Sequence, residues 1–394
     1  MLKKLSSVTI LSSLGALFNF LTTFIIVHNL GLGILGKFTL VNSITGLCSL
    51  IYTLLPPNYS VFKYQDDDNY RYILTSFYVV ASIPFVGILY VLHLLNSFPE
   101  LSFGVVAFNG LTTIAFYYYD ITYQAKNRLY RYFLQLLLQA VLKIIIIYWF
   151  YFTHLLKDNS SLIVATSLAQ LICLIPYAKD FLKDIKFSKT FFRDPIVYVI
   201  QKFHDLKFYY LNAAIKRVKD NVIIVLFSKI LTSELIGLFT LFIKITSFVL
   251  SLGRSFEAFF ANRENMEKYH QSFNRHILLL GGALQAVFIG VGLVYMKIYV
   301  HQYYFIEILI LSFLVYPYSR FIVERMKFLG DYNNRELNIS MIIYITFVVV
   351  SFAICNFFKI TSLYTILLVY FISELLNYAH LIYKSVSKRI KTEI

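Results

Sequence analysis

Apolar runs of about 20 residues, separated by short polar connections, occupy most of this sequence and restrict the folds it can adopt. A helix of that length crosses the hydrocarbon core of a bilayer, which is about 30 Å thick. Charged residues make up only 14% of the chain, against about 25% in soluble domains. We therefore predict an all-α membrane protein with about twelve transmembrane helices. They lie near residues 5–29, 38–62, 72–95, 102–124, 132–152, 161–178, 206–228, 233–260, 277–296, 303–323, 337–356 and 361–383.

The distribution of basic residues predicts which connections face the cytoplasm. Most of the 36 Lys and Arg residues lie in alternate connections and near the two termini. The other connections hold only Lys37, Lys157, Lys229, Lys297 and Lys359. Because Lys and Arg accumulate on the cytoplasmic side of membrane proteins, both termini are predicted to be cytoplasmic. The first apolar run lacks a small-residue cleavage site and is therefore kept as a span.

One long connection and one repeated motif predict the domain organisation. Residues 179–204 alternate apolar and basic side chains, which is typical of an amphipathic segment at a membrane surface. This linker separates an N-terminal six-helix bundle, residues 1–178, from a C-terminal bundle with a basic tail, residues 205–394. Residues 36–45 and 237–246 agree at six of ten positions. Since each copy begins an even-numbered helix, the bundles are predicted to be parallel repeats with a binding site at their interface.

The seventh predicted span is unusual because it carries four ionisable groups near its middle. Each Lys, Arg or Asp at the centre of a spanning helix costs about 2.5 to 3.5 kcal/mol. On a helical wheel Lys216, Lys219 and Asp220 share one face, with Arg217 at its edge, while the opposite face is apolar. The pattern predicts a helix that lines an aqueous cavity inside a bundle.

Further cations extend this predicted cavity. On the eighth span Lys244 and Arg254 belong to a stripe of polar residues at helical spacing, and on the fifth span Lys143 follows Gln135 and Gln139 on one face. These cations form the predicted substrate-binding set: Lys216, Arg217, Lys219, Lys244, Arg254 and Lys143. Three acids, Asp220, Glu374 and Asp120, are predicted to be counter-ions or proton sites. An open alternative is that these acids balance the cations and nothing binds.

Several function classes find no support in the sequence. The three cysteines lie in apolar runs, and neither they nor the eight histidines show metal-ligand spacing. No nucleotide-binding motif is present. The net charge of +15 lies mostly beside the predicted spans, where membrane orientation explains it better than nucleic acid does. We therefore expect no metal, no cofactor, no nucleic-acid partner and no enzymatic activity.

Two short motifs resemble the polysaccharide flippases. Asn19 followed by residues 28–44, HNLGLGILGKFTLVNSI, is similar to the start of these proteins, with Lys37 where they carry an aromatic residue. Residues 219–225, KDNVIIV, and 236–240, IGLFT, resemble their seventh-to-eighth helix signature, with Asn221 in place of Arg and Phe239 in place of Tyr.

The resemblance implies a member of the multidrug, oligosaccharidyl-lipid and polysaccharide exporter superfamily, with two six-helix bundles in a V. Such flippases move undecaprenyl-pyrophosphate-linked repeat units of O-antigen or capsule across the bacterial inner membrane. The implied partners are this lipid-linked oligosaccharide, membrane lipids, a polysaccharide polymerase and a chain-length regulator. A cationic cavity would suit the anionic pyrophosphate. The alternatives are a multidrug or cation antiporter of the same superfamily, and a membrane polysaccharide polymerase or ligase.

Overall fold

The computed structural model contains helices and no strand among the residues that it describes, which are 2–393 except 99, 126–128, 186–187, 261–280, 299, 301–303, 316, 319 and 322–333. The helices are α1 (Leu2–Cys48), α2 (Pro57–Asp66), α3 (Asp68–Leu94), α4 (Phe103–Ala125), α5 (Leu129–Phe152), α6 (Asn159–Leu174), α7 (Ala178–Asp184), α8 (Asp194–Phe227), α9 (Ser233–Phe260), α10 (281–298), α11 (Phe305–Ser312), α12 (Asn334–Phe357) and α13 (Leu363–Glu393). Short 3₁₀ turns at Ser49–Leu54 and Ile175–Tyr177 connect some of them.

The predicted all-α membrane fold is confirmed. Eight segments among the described residues are helical, long and apolar enough to cross a membrane. Of these, Ser13–Leu54 is 42 residues long and contains most of the first two predicted spans. The remaining predicted spans also fall mainly on helices wherever the structure describes them. The orientation of the termini stays a prediction.

The first two predicted spans differ from the structure in their boundaries. The stretch labelled α1 consists of two helices that meet at Gly31, where φ is 83° and ψ is 170° and the backbone is not helical, so the first two predicted spans are separate helices as expected. Glycine adopts this positive φ without steric penalty, so the chain can turn there between the two helices. The second span also breaks at Leu55, which is extended before Pro56 because proline disfavours a helical residue in front of it.

The seventh predicted span is part of a longer helix. Its helix α8 begins at Asp194 rather than near residue 206, with Pro195 in the first turn, where a missing backbone N–H is tolerated. The Asp194 carboxylate accepts a hydrogen bond from the Thr190 hydroxyl at 2.7 Å and one from Tyr72 at 3.3 Å. These contacts fix the start of α8 against α3.

The chain forms two compact units, residues 1–39 with 218–394, and residues 40–217. We call them the discontinuous unit and the central unit. In the discontinuous unit Phe20 packs on Phe248 and Tyr295, with ring centroids 5.1 and 5.0 Å apart. In the central unit Tyr52 is surrounded by aromatic rings of α3. The predicted division into two six-helix bundles around residues 179–204 stays a prediction.

The first residues of the two copies of the repeated motif meet within the discontinuous unit. Gly36 and Gly237 are so close that a Cβ atom on Gly36 would lie 2.9 Å from the Gly237 nitrogen and would overlap the Ser233 carbonyl. A Cβ atom on Gly237 would overlap the Leu32 carbonyl in the same way. At these two positions the contact between α1 and α9 is made by backbone, and it requires glycine on both sides.

Candidate functional site

Lys219 of the polar helix α8 forms an ion pair inside the discontinuous unit. Its Nζ lies 2.9 and 3.1 Å from the two carboxylate oxygens of Glu374 on α13, and both side chains are at most 15% exposed. Asn377, one helical turn further along, donates a hydrogen bond to Glu374 Oε2 at 3.2 Å. The same ammonium group lies 4.7 Å from the centre of the Tyr344 ring. Both oxygens of Glu374 are thus occupied by protein donors.

Arg217 lies in a different environment, in the central unit. Its guanidinium carbon is 3.8 Å from the centre of the Tyr117 ring, a cation–π contact with α4. It also interacts electrostatically with Asp120 on the same helix as Tyr117. The Oδ1 atom of Asp120 is buried and has no hydrogen-bond partner in the part of the chain that the structure describes. Unlike Glu374, Asp120 therefore keeps an oxygen that could take up a proton.

The other predicted residues of α8 and α9 have exposed side chains. Lys216 and Asp220 are exposed on α8, and Lys244 is exposed on α9 although Phe242 and Ile245 beside it are buried. The Lys244 amino group has no ion-pair or hydrogen-bond partner among the described residues. The side chain of Arg254 lies outside the described residues.

The predicted face of the fifth span is present on α5. Gln135 and Gln139 are 2% and 5% exposed, and Lys143 is half-buried. Gln135 donates to the Cys173 carbonyl of α6 and accepts a hydrogen bond from the Tyr177 hydroxyl at 3.0 Å. Gln135 therefore joins α5 to the end of α6. Whether Lys143 shares one site with the cations of α8 and α9 stays a prediction.

One polar contact could not be found from the sequence. His380 Nε2 on α13 lies 3.0 Å from Glu336 Oε2 on α12, and both side chains are less than 20% exposed. The histidines had been given no role because none has a metal-ligand spacing to another. A pair formed across 44 positions of sequence leaves no local pattern that could have revealed it.

The architecture defines a class of protein, namely an all-α membrane protein with several spans among the residues that the structure describes. No family model and no curated protein matches the sequence. Solved structures do match the fold. The MATE multidrug transporter DinF-BH in complex with rhodamine 6G is 14% identical, with a TM-score of 0.66 over 98% of this chain and 96% of that one.

Two further structures belong to the MOP superfamily. An inward-facing multidrug resistance MATE family transporter is 13% identical, with a TM-score of 0.61 over 96% of this chain and 94% of that one. A transporter from Pyrococcus furiosus, described as having a binding pocket of reversed polarity, is 11% identical, with a TM-score of 0.58 over 97% and 95%. The chain thus has the same fold as these MOP-superfamily transporters. All three neighbours are transporters rather than enzymes.

Proposed function

We propose that the protein is a secondary transporter that exports amphipathic organic cations by alternating access, as a multidrug-type member of the MOP superfamily. The observation that carries this proposal is the pairing of buried charges. Lys219 forms an ion pair with Glu374 at 2.9 Å, and Arg217 lies on the Tyr117 ring and interacts electrostatically with Asp120. From the sequence alone we expected an anionic cargo, because these cations had no identified counter-charge inside the membrane. With acids beside them, an anionic cargo is no longer required to balance them.

The acids also offer a means of coupling. A carboxylate next to a cation inside a membrane protein can exchange its partner for a proton, and such groups commonly form proton relays in transporters. Asp120 is the better candidate, because its Oδ1 has no hydrogen-bond partner among the described residues. Protonation of Asp120 would weaken its attraction to Arg217 and so favour a different arrangement of α4 and α8.

The contact between Gly36 and Gly237 supports alternating access. Two helices that touch through backbone at their glycines can separate there without extracting interlocked side chains from a neighbour. Under the predicted division of the chain, Gly36 belongs to the first bundle and Gly237 to the second, so this contact would be a point at which the two bundles separate. We also propose that the protein lies in the bacterial inner membrane.

A second candidate function is the flipping of a lipid-linked oligosaccharide with an anionic head. It is favoured by Lys216 and Lys244, which remain exposed, and by the absence, within the described part of the chain, of a partner for the Lys244 amino group. The reversed pocket polarity of the Pyrococcus furiosus neighbour also supports a cargo other than a cation for this fold. A polymerase, a chain-length regulator and membrane lipids would be partners under this candidate only.

Transport in liposomes distinguishes the two functions. The purified chain is reconstituted, and the flux of rhodamine 6G, the compound bound to the DinF-BH neighbour, is followed by fluorescence with and without a pH gradient. A parallel set of liposomes carries a fluorescent isoprenyl pyrophosphate, whose appearance in the outer leaflet is measured by quenching. We expect rhodamine flux that increases with the gradient. Movement of the pyrophosphate lipid without any rhodamine flux would replace the proposal by the second candidate.

A further inference from the structure

A cavity in the central unit is lined mainly by tyrosine rings. Its volume is about 320 Å³, within the range of sites that hold small organic ligands. The lining comes from α2, α3, α4, α6 and α7, near the end of α6. Six tyrosines contribute to it: Tyr64, Tyr78, Tyr118, Tyr119, Tyr123 and Tyr177.

The rings hold one another in place. Tyr119 packs on Tyr123 and Tyr177, with ring centroids 4.3 and 4.5 Å apart, and Tyr123 lies 4.8 Å from Tyr177. Tyr118, which also lines the cavity, packs on Tyr78 at 5.4 Å. Rings fixed by their neighbours present flat, electron-rich faces without losing further conformational freedom when a ligand arrives. The walls are therefore preorganised for an aromatic or cationic guest.

The charged part of the lining is acidic. Asp180 and Asp184 of α7 line the cavity, and its described lining contains no Lys or Arg. Asp184 accepts a hydrogen bond from the Tyr64 hydroxyl at 2.5 Å. Burial, together with nearby Tyr118 and Asp184, raises the pKa of Tyr64 above its ordinary value, so the hydroxyl stays protonated and remains a donor. A carboxylate and several ring faces attract positive charge and repel an anionic head.

The opening is apolar. Leu111, Leu171 and Ile175 line the cavity and are exposed, so a ligand would enter across hydrocarbon side chains rather than through a hydrated funnel. A small inorganic cation would gain little from such walls. A ligand with an apolar, planar body and one positive charge matches the shape, the ring faces and the acidic end together.

We propose that this cavity binds an amphipathic, planar organic cation, with the apolar rings between the tyrosines and the positive charge toward Asp180 and Asp184. The inference rests on the proposed function for one point, the class of cargo. What it adds is a binding site for that cargo in the central unit. The paired charges of α8 do not line this cavity.

Ethidium is the probe for the test, because its fluorescence increases in an apolar site. The full chain in lipid nanodiscs is titrated with ethidium, and neutral 6-phenylphenanthridine serves as a competitor of similar shape without the charge. Two changes act on the site: Ala115→Trp, which fills the cavity from α4, and the double change Asp180→Asn with Asp184→Asn. Two matched controls lie elsewhere in the same unit: Leu138→Trp on exposed α5 surface, and Asp205→Asn beside Lys202.

We expect saturable ethidium binding by the wild-type chain, weakened about 10-fold or more by either cavity change and unchanged in both controls. The neutral competitor should displace ethidium only weakly. Equal melting temperatures of all variants establish that loss of binding is not loss of folding. Absence of ethidium binding, or binding that the cavity changes leave intact, overturns the inference. Cavity-dependent binding without rhodamine flux in liposomes would retain this site and reject the proposed transport function.

Discussion

Lys219 and Arg217 are two residues apart on α8, yet their acids are held very differently. Both carboxylate oxygens of Glu374 accept hydrogen bonds: Lys219 contacts them at 2.9 and 3.1 Å, and Asn377 donates a further bond to one of them. Asp120 is less completely bonded. It interacts electrostatically with Arg217, whose guanidinium lies on the Tyr117 ring. Its buried Oδ1 has no hydrogen-bond partner among the described residues. One helix therefore carries a cation in a fully hydrogen-bonded ion pair and a second cation near an acid that keeps one oxygen without a hydrogen bond among the described residues.

The difference separates a stabilising role from a switching role. A buried ion pair whose groups are all hydrogen-bonded is strongly disrupted by removal of one partner, because the other charge is then left unpaired. A carboxylate with a free oxygen can change its protonation state without first breaking several hydrogen bonds. We therefore expect Glu374 to matter for folding and Asp120 to matter for the pH dependence of transport.

The largest expected effect comes from Glu374→Gln. This change leaves the Lys219 ammonium buried without a counter-ion and should lower stability by about 3 to 5 kcal/mol. The apparent melting temperature in detergent and the amount of protein in the membrane both measure it. Glu234→Gln, which alters an acid in the first turn of α9, is the control. Unchanged melting of the Glu374 variant would show that the pair does not stabilise the fold.

A second, more selective effect is expected from Asp120→Asn. The amide keeps the size of the side chain but cannot take up a proton, so the protein should fold normally and lose about 10-fold of its gradient-driven rhodamine flux. Exchange of rhodamine 6G without a gradient should persist, which separates coupling from binding. Gradient-driven flux equal to that of the wild type would exclude Asp120 as the coupling group.

Tyr117→Leu tests the cation–π contact of Arg217. Loss of the ring should lower stability by about 0.5 to 2 kcal/mol, less than the loss of the Glu374 carboxylate. Tyr117→Phe keeps the ring face and should behave as the wild type in the same melting experiment. If Tyr117→Phe is as unstable as Tyr117→Leu, the hydroxyl rather than the ring face supports Arg217.

The smallest effect on stability is expected for Lys244→Ala. Lys244 is exposed, and its amino group has no partner among the described residues, so the change should alter stability by less than about 0.5 kcal/mol, as melting would show. Its functional effect separates the two candidate functions. Rhodamine flux should be unchanged, whereas a loss of isoprenyl pyrophosphate movement would favour the flippase.

The helices could be predicted from sequence because hydropathy over 20 residues is a local property. Their boundaries were harder. The turn at Gly31 and the break before Pro56 have local causes in glycine and proline, but the sequence contains these residues at many other positions as well, so their presence alone does not mark a helix end.

The charged residues could be located but not paired. The sequence placed Lys219 and Glu374 inside the membrane, but they are 155 positions apart, and no periodicity connects two helices so distant in the chain.

The tyrosine cavity was missed for a similar reason. Aromatic residues occur on every predicted span, where interfacial belts explain most of them, and only packing brings Tyr64, Tyr119 and Tyr177 to one cavity.

A double-mutant cycle between Lys219 and Glu374 tests most directly whether the protein neutralises its own cations. The free energy of unfolding is measured in mixed micelles for the wild type, Lys219→Met, Glu374→Gln and the double variant. We predict that each single change is strongly destabilising and that the double variant recovers much of the loss, with a coupling energy of about 2 to 3 kcal/mol. Additive losses would mean that the two charges do not stabilise each other, which would contradict this pairing and restore the case for an anionic cargo beside Lys219.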